Sequence, residues 1–281
     1  DHRIPIAGVA ARLLSHGGIE IVAEGVNGRI PTEPNQRGYP TDHGETAAIR
    51  SLDHGRDIDW SEVVFATTLS PCAMCARTLV ELSRLGLKRF VIAESESFPG
   101  RRDLLEAIEG SMVVCLRERR AIRLMETFAN RYPWDWAADI GEIPPERSCP
   151  AETLREVSQS LLDRHDRTGA LVTYVIGPDG KPIMNAEDTR EQHFGNPTYS
   201  APIRAIGLAG SHVNLRECSL LCFRTNGQPV RRSDFGEASI GACEVFRPAQ
   251  IVFAVTPERS LLESLRQTGA EIMVVPSDRL E

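Results

Sequence analysis

Val63-Val64-Phe65-Ala66-Thr67-Thr68-Leu69-Ser70-Pro71-Cys72-Ala73-Met74-Cys75 reads as a strand feeding a helix. Val63–Thr67 is a short β-branched run. Pro71 stands where a first helical turn accepts proline, and the helical pattern continues to about Leu85. Upstream, the apolar runs 7–14 and 19–26 flank His16-Gly17-Gly18 and predict a hairpin. Residues 27–41 are rich in Gly, Pro and Asn and read as a loop, after which Asp42 is expected to cap a helix through Leu52. Downstream, 89–93 and 111–116 are expected strands, and 103–109 and 118–131 expected helices. The order β-β-α-β-α-β-α-β-α predicts a layered α/β domain whose later strands run parallel.

Pro144-Pro145-Glu146-Arg147-Ser148-Cys149-Pro150 has three prolines in seven residues. Such a run stops helix and sheet alike, so the boundary is set between residues 1–145 and 146–281. The pattern then restarts. A helix is expected over 151–164, then a hairpin of 171–176 and 181–185 around Pro178-Asp179-Gly180, then strands at 219–223, 251–255 and 272–275. Two halves of similar length with one element order suggest a duplication at domain scale.

The whole chain has 281 residues, 41% hydrophobic and 25% charged, which are globular proportions and exclude a disordered chain or a coiled coil. No apolar run approaches the roughly 18 residues that cross a bilayer, so no membrane span is expected. A formal net charge of −7 disfavours long nucleic acid as a partner. Seven cysteines in so long a chain point to a reducing compartment, read as cytoplasmic, with any special cysteines metal-bound or catalytic. No signal-peptide apolar region is visible at the start, and the first residue is Asp1 rather than Met.

Three segments carry the chemistry: Thr41-Asp42-His43-Gly44-Glu45, Ser70-Pro71-Cys72-Ala73-Met74-Cys75 and Trp136-Ala137-Ala138-Asp139-Ile140-Gly141-Glu142. Cys72 and Cys75, three apart at a helix start, share one face, and a helix N-terminus favours the thiolates that bind metal. With the His43 imidazole they make three zinc ligands and leave a fourth position open, as a catalytic site does. A structural site would usually take a fourth protein ligand, and no nearby Cys or His offers one. Metal-bound water would have its pKa lowered toward about 7. Glu45 is expected to be the proton shuttle rather than a ligand. On an ideal helix it lies about 200° from His43, so both face one metal only from a frayed first turn.

His-x-Glu followed by Pro-Cys-x-x-Cys is the signature of zinc-dependent nucleobase deaminases, and the first half resembles the fungal-type cytosine deaminases along nearly all its length. Ile4-Pro5-Ile6-Ala7-Gly8 resembles their opening strand, Gly25-Val26-Asn27 the segment before their substrate loop, and Thr67–Cys72 their cysteine segment. Arg131-Tyr132-Pro133, Asp135-Trp136 and Asp139-Ile140-Gly141-Glu142 are very like their C-terminus. The resemblance implies a three-layer α/β/α cytidine deaminase-like domain. It implies zinc held by His43, Cys72 and Cys75, and Glu45 moving protons. Asn27 would bond the ring, Asp139 would accept from the exocyclic amine, and Phe98 and Trp136 would wall the pocket. Ser95 departs from the Asn of that family, the 29–39 loop is unlike theirs, and their first helix would lie upstream of Asp1.

In the second half Ser200 falls where His43 falls in the first, Pro202 where Glu45 falls, and no Pro-Cys-x-x-Cys follows. It reads as a degenerate, inactive copy. Deaminases of this family are dimers, so the copy is expected to pair with the first half within one chain, a homodimer of such chains being a further possibility. The expected activity is hydrolytic deamination of a free amino-pyrimidine such as cytosine, or a related small amino-heterocycle, with Zn2+ as cofactor. The rivals are a purine, nucleoside or tRNA-base deaminase of the same chemistry, and a zinc-stabilised binding protein. Cys115, Cys218, Cys222 and Cys243 are expected to be buried small hydrophobes, His54 and His193 surface residues, and Arg117, Arg119 and Arg120 one solvated helix face.

Overall fold

The computed structural model describes residues 4–31, 38–52, 58–143, 149–166 and 168–275. The expected boundary near residue 145 and His54 lie outside them. The first half runs β1 (Ala7–Leu13), β2 (Ile19–Val26), α1 (Gly44–Arg50), β3 (Val63–Thr67), α2 (Ala73–Ser83), β4 (Arg89–Ile92), α3 (Arg102–Glu106), β5 (Met112–Cys115), α4 (Arg119–Arg131) and α5 (Pro133–Asp139). The second runs α6 (Ala151–Leu162), β6 (Leu171–Ile176), β7 (Pro182–Glu187), α7 (Ala201–Ala209), β8 (Ser219–Arg224), α8 (Arg232–Phe235), α9 (Glu237–Phe246), β9 (Gln250–Phe253), α10 (Arg259–Arg266) and β10 (Glu271–Val274).

The strands form two five-stranded sheets, ordered β2-β1-β3-β4-β5 and β10-β9-β8-β6-β7. Put β6–β10 in place of β1–β5, and the second order is the first read from the other end. The strand senses repeat too. β1 is antiparallel to β2 and β3 while β3, β4 and β5 are parallel. β6 is antiparallel to β7 and β8 while β8, β9 and β10 are parallel. Both opening hairpins slip register within β1 or β6, at Ala10/Ala11 and Val175/Ile176.

Period-2 alternation assigns the two faces of the second sheet. Val172, Tyr174, Ile176, Leu221 and Phe223 pack with Leu154 and Leu161 of α6. Leu171, Val175, Leu220 and Cys222 pack on the other side with residues of α7, α9 and α10. That half therefore has helices on both faces. In the first sheet Ala10, Ala23, Val63, Phe65 and Phe90 are buried beneath α1, α2 and α3, whereas Val9, Val64, Ala66 and Val91 on the opposite face remain half-exposed.

Two close contacts position the chemistry. A Cβ on Gly8 of β1 would lie 2.7 Å from Glu45 Cα, and one on Gly44 would lie 2.6 Å from Ala7 Cα. Paired glycines thus let the first turn of α1 sit directly on β1. Between the halves, α2 crosses α9 at Gly241, where a Cβ would stand 2.5 Å from the Ala73 carbonyl oxygen. The crossing is tied by ion pairs Arg77 Nη1–Glu237 Oε2 and Arg101 Nη1–Glu244 Oε1, each 2.8 Å. Half-buried Glu81 reaches from α2 to accept the Ala238 N–H at 2.8 Å, capping the first turn of α9. Gly241→Val is expected to destabilise the protein by about 1–3 kcal/mol through overpacking and to weaken zinc retention. Melting curves with and without chelator measure both, and an unchanged melting temperature would contradict the close contact.

Several details differ from expectation. The α1 cap is His43, not Asp42, because Thr46 Oγ1 accepts the His43 N–H at 3.0 Å and Asp42 is drawn into an ion pair with Arg50. Cys72 rather than Pro71 borders α2, so the proline sits one residue before the cap. Cys115 is half-buried beside Ser95 Oγ. His193 stacks on Tyr199 with ring centroids 3.6 Å apart rather than standing alone at the surface. Arg117 lies before α4 in a left-handed conformation (φ 53°) and pairs with Glu96. No helix among the described residues is long and apolar enough to cross a membrane.

Candidate metal centre

His43 and Cys72 are the caps of α1 and α2. Both have extended backbones, with ψ 161° and 176°. Glu45 is the second residue of α1, and Cys75 the third of α2. Because His43 is still extended, the helical spacing that would set it opposite Glu45 does not apply, and both side chains enter one buried space. A His43 ring nitrogen and the Cys72 and Cys75 sulfurs all lie within 4.8 Å of one another, and all three residues are buried. His43 Nδ1 is 3.3 Å from Cys72 Sγ.

These residues fit zinc. The set is one imidazole and two thiols, neither in a disulfide, and bonds of about 2.0–2.3 Å bring such donors within roughly 4 Å of each other. Among the described residues the group has only these three members. Behind it, Asp139 Oδ1 is 3.4 Å from His43 Nε2, off line for a hydrogen bond but close enough for an ion pair. A carboxylate on the far nitrogen of a ligating histidine fixes the ring's orientation. The same oxygen accepts from Asn27 Nδ2 at 3.4 Å and Arg29 Nη1 at 3.3 Å.

Electrostatics separate the ligands. Burial opposes a charged His43, yet Asp139 and the Cys72 thiolate outweigh it and hold the imidazole at about 9. The Cys75 hydrogen bond, helped by His43 and opposed by burial, holds Cys72 well below the usual thiol range. Burial, then Cys72, pushes Cys75 well above it. Burial and the Cys72 thiolate push Glu45 up to about 7. At pH 8 the metal-free site thus keeps a proton on His43 and one on Cys75 but none on Cys72. Zinc uptake at pH 8 is expected to release about two protons, so affinity climbs as pH rises toward 9 and falls as it drops. Calorimetry in two buffers of different ionisation enthalpy counts them, and proton-neutral uptake would contradict these assignments.

Of the residues singled out for substrate, Asn27 and Asp139 are brought together beside His43. Phe98 and Trp136 meet edge to face at 5.4 Å and pack against the cluster of Ile4, Ile6, Leu69, Met125 and Phe128. Three neighbours were not singled out. Arg29 lies in a loop that offers no periodic signal. Phe246, whose ring is edge-on to His43 at 6.4 Å, comes from the other half. The third, Thr67, ends β3 with its hydroxyl 2.9 Å from both Glu45 Oε1 and the Leu69 oxygen. A hydroxyl has one proton, so it donates to Glu45 when that group is ionised and can turn to Leu69 when Glu45 carries the proton.

The second half repeats the scaffold without the ligands. Ser200 caps α7 and Pro202 is its second residue, in the helix positions of His43 and Glu45. Gly236 caps α9 and Ser239 is its third residue, in those of Cys72 and Cys75. Ser200 Oγ and Ser239 Oγ hydrogen-bond each other at 2.9 Å, buried, where the first half places imidazole and thiol.

Residues 4–94 match the family model described as the cytidine and deoxycytidylate deaminase zinc-binding region. The match spans Asn27, His43, Glu45, Cys72 and Cys75 and ends before Phe98, Trp136 and Asp139. The N-terminal region is thus similar to the zinc-binding region of these deaminases, and its His43, Cys72 and Cys75 cluster is compatible with Zn2+.

Proposed function

We propose that the chain is a zinc-dependent aminohydrolase that deaminates a free amino-pyrimidine base such as cytosine, or a related small amino-heterocycle, and releases ammonia. The observation that carries this reading is Glu45. It is a buried carboxyl against three zinc-type ligands, with His43 the cation beside it among the described residues and with Thr67 ready for either protonation state. A purely structural metal site has no use for such a group.

His43, Cys72 and Cys75 would hold zinc, which would supply Lewis acidity toward a water molecule near neutral pH. Glu45 takes one proton from the attacking water and gives it to the ring nitrogen as the oxygen bonds to the amine-bearing carbon. It then takes the second proton from that new hydroxyl and gives it to the amine, which leaves as ammonia when the C–N bond breaks. Asn27 and Asp139 orient the ring. The protein contacts of Asp139 described above all fall on Oδ1, and Oδ2 accepts from the exocyclic amine. An oxo group there would set lone pair against lone pair, so substrate is preferred over product. Phe98 and Trp136 cover the ring and exclude water.

In this reading the second half is a degenerate copy that pairs with the first within one chain, leaving association of whole chains open. The protein works in the cytoplasm, on a small molecule rather than nucleic acid. The test is ammonia release by zinc-loaded protein from cytosine, guanine, cytidine and adenosine-containing RNA, beside metal analysis. About one zinc per chain and fastest turnover of the free pyrimidine are expected. No ammonia from any of them overturns the proposal, and two zincs per chain contradict the degenerate second half.

A further inference from the structure

A cleft of about 340 Å³ lies between the halves. From the first half it takes Arg29 and the end of α5, and from the second the segment 211–216 and the last turn of α9. Phe246 belongs to its wall and to the surroundings of His43. Arg29 likewise faces both ways, bonded to Asp139 on the inner side. The cleft is therefore one side chain removed from the metal centre, yet none of the three ligands lines it.

Its polar lining is unusual for so acidic a chain. Arg29, His212, Asn214 and Arg216 line it, and among the described residues no lining side chain is acidic. Arg216 Nε donates to Asn214 Oδ1 at 3.2 Å. Its Nη1 is buried with no hydrogen-bond partner among the described residues. Glu217, next to Arg216, is engaged by Asn214 Nδ2 at 3.1 Å. Arg29 and Arg216 line one concavity, and the ligand that such a pair accommodates best is a planar or tetrahedral oxyanion taken through several N–H groups at once.

We infer that the cleft between the halves is a binding site for a small oxyanion, a phosphate or carboxylate, held chiefly by Arg216 and joined by Arg29. An oxyanion there competes with Asp139 for Arg29, so its binding is communicated to the carboxylate behind His43. The anion is either free in solution or a substituent carried by the substrate. Both use the same donors.

The test titrates inorganic phosphate into zinc-loaded protein by calorimetry, at ionic strength held constant with chloride. Saturable binding of one phosphate per chain is expected. Arg216→Gln should weaken it at least tenfold while zinc content and melting temperature stay unchanged, and Arg29→Gln should weaken it less. Absence of saturable binding, or equal binding by wild type and Arg216→Gln, overturns the inference. Glu45→Ala is expected to bind phosphate as wild type does, so failure of the deaminase proposal leaves this result readable. Kinetics then separate the sources. Phosphate that changes turnover of a neutral heterocycle at unchanged KM marks a free anion. Phosphate that raises KM only for a heterocycle bearing a carboxylate or phosphate marks a substituent. An effect reproduced by chloride alone counts against the site.

Discussion

Replacement of Glu45 by Gln is expected to leave about one zinc per chain and to lower ammonia release roughly 10³–10⁴-fold, toward the upper end of what a positioned proton-transfer group contributes. The glutamine keeps the shape and can still accept from Thr67 Oγ1, now 2.9 Å from Glu45 Oε1, so the fold and the ligands stay in place. What is lost is a group able to gain and release a proton in a buried site whose carboxyl stands at about 7. Metal analysis and turnover measured on one preparation are decisive. Retained turnover removes Glu45 from the proposed proton path. Lost zinc would show instead that Glu45 helps to hold the metal.

The second large effect concerns the metal itself. Cys75→Ser is expected to empty the site during dialysis and to abolish ammonia release beyond rescue by added zinc at micromolar level. The hydroxyl is a poor substitute for a thiolate on zinc, and only two of three protein ligands remain. Asp139→Asn makes the graded comparison. It removes charge behind His43 without touching a ligand, and a loss of roughly 10–100-fold in metal affinity is expected. Far-UV circular dichroism should be unchanged in both variants, because α2 stays clamped to α9 through Arg77, Glu81 and Gly241. Full zinc content in Cys75→Ser would end the three-ligand assignment.

Most of the fold was legible because its signals are local. The β-branched run before Pro71, the glycine turn at His16-Gly17-Gly18 and the later hairpin at Pro178-Asp179-Gly180 each mark an element that the structure contains. The ligands were legible for the same reason, since cysteines three apart at a helix start and a histidine at another fall within short stretches. What could not be read was whatever depends on distant parts of the chain meeting. Arg29, Thr67 and Phe246 become neighbours of the centre only through the crossing of sheets and halves. Asp139 was singled out through its resemblance to substrate-binding residues, yet its place behind His43 follows from where α5 ends. The Asp42 cap failed for an energetic reason: Arg50, two turns along, competes for that carboxylate.

Cys72, Ala73, Met74 and Cys75 share one hydrophobic cluster with residues drawn mostly from the second half. The Cys72–Cys75 turn is thus packed into a half in which, among the described residues, no second cluster of His, Cys and carboxylate ligands forms. In a saturation-mutagenesis map of the protein, Gly241 and Glu81 would stand out beside the cysteines, and such a map read without coordinates would not separate residues that hold the turn from those that line the metal centre.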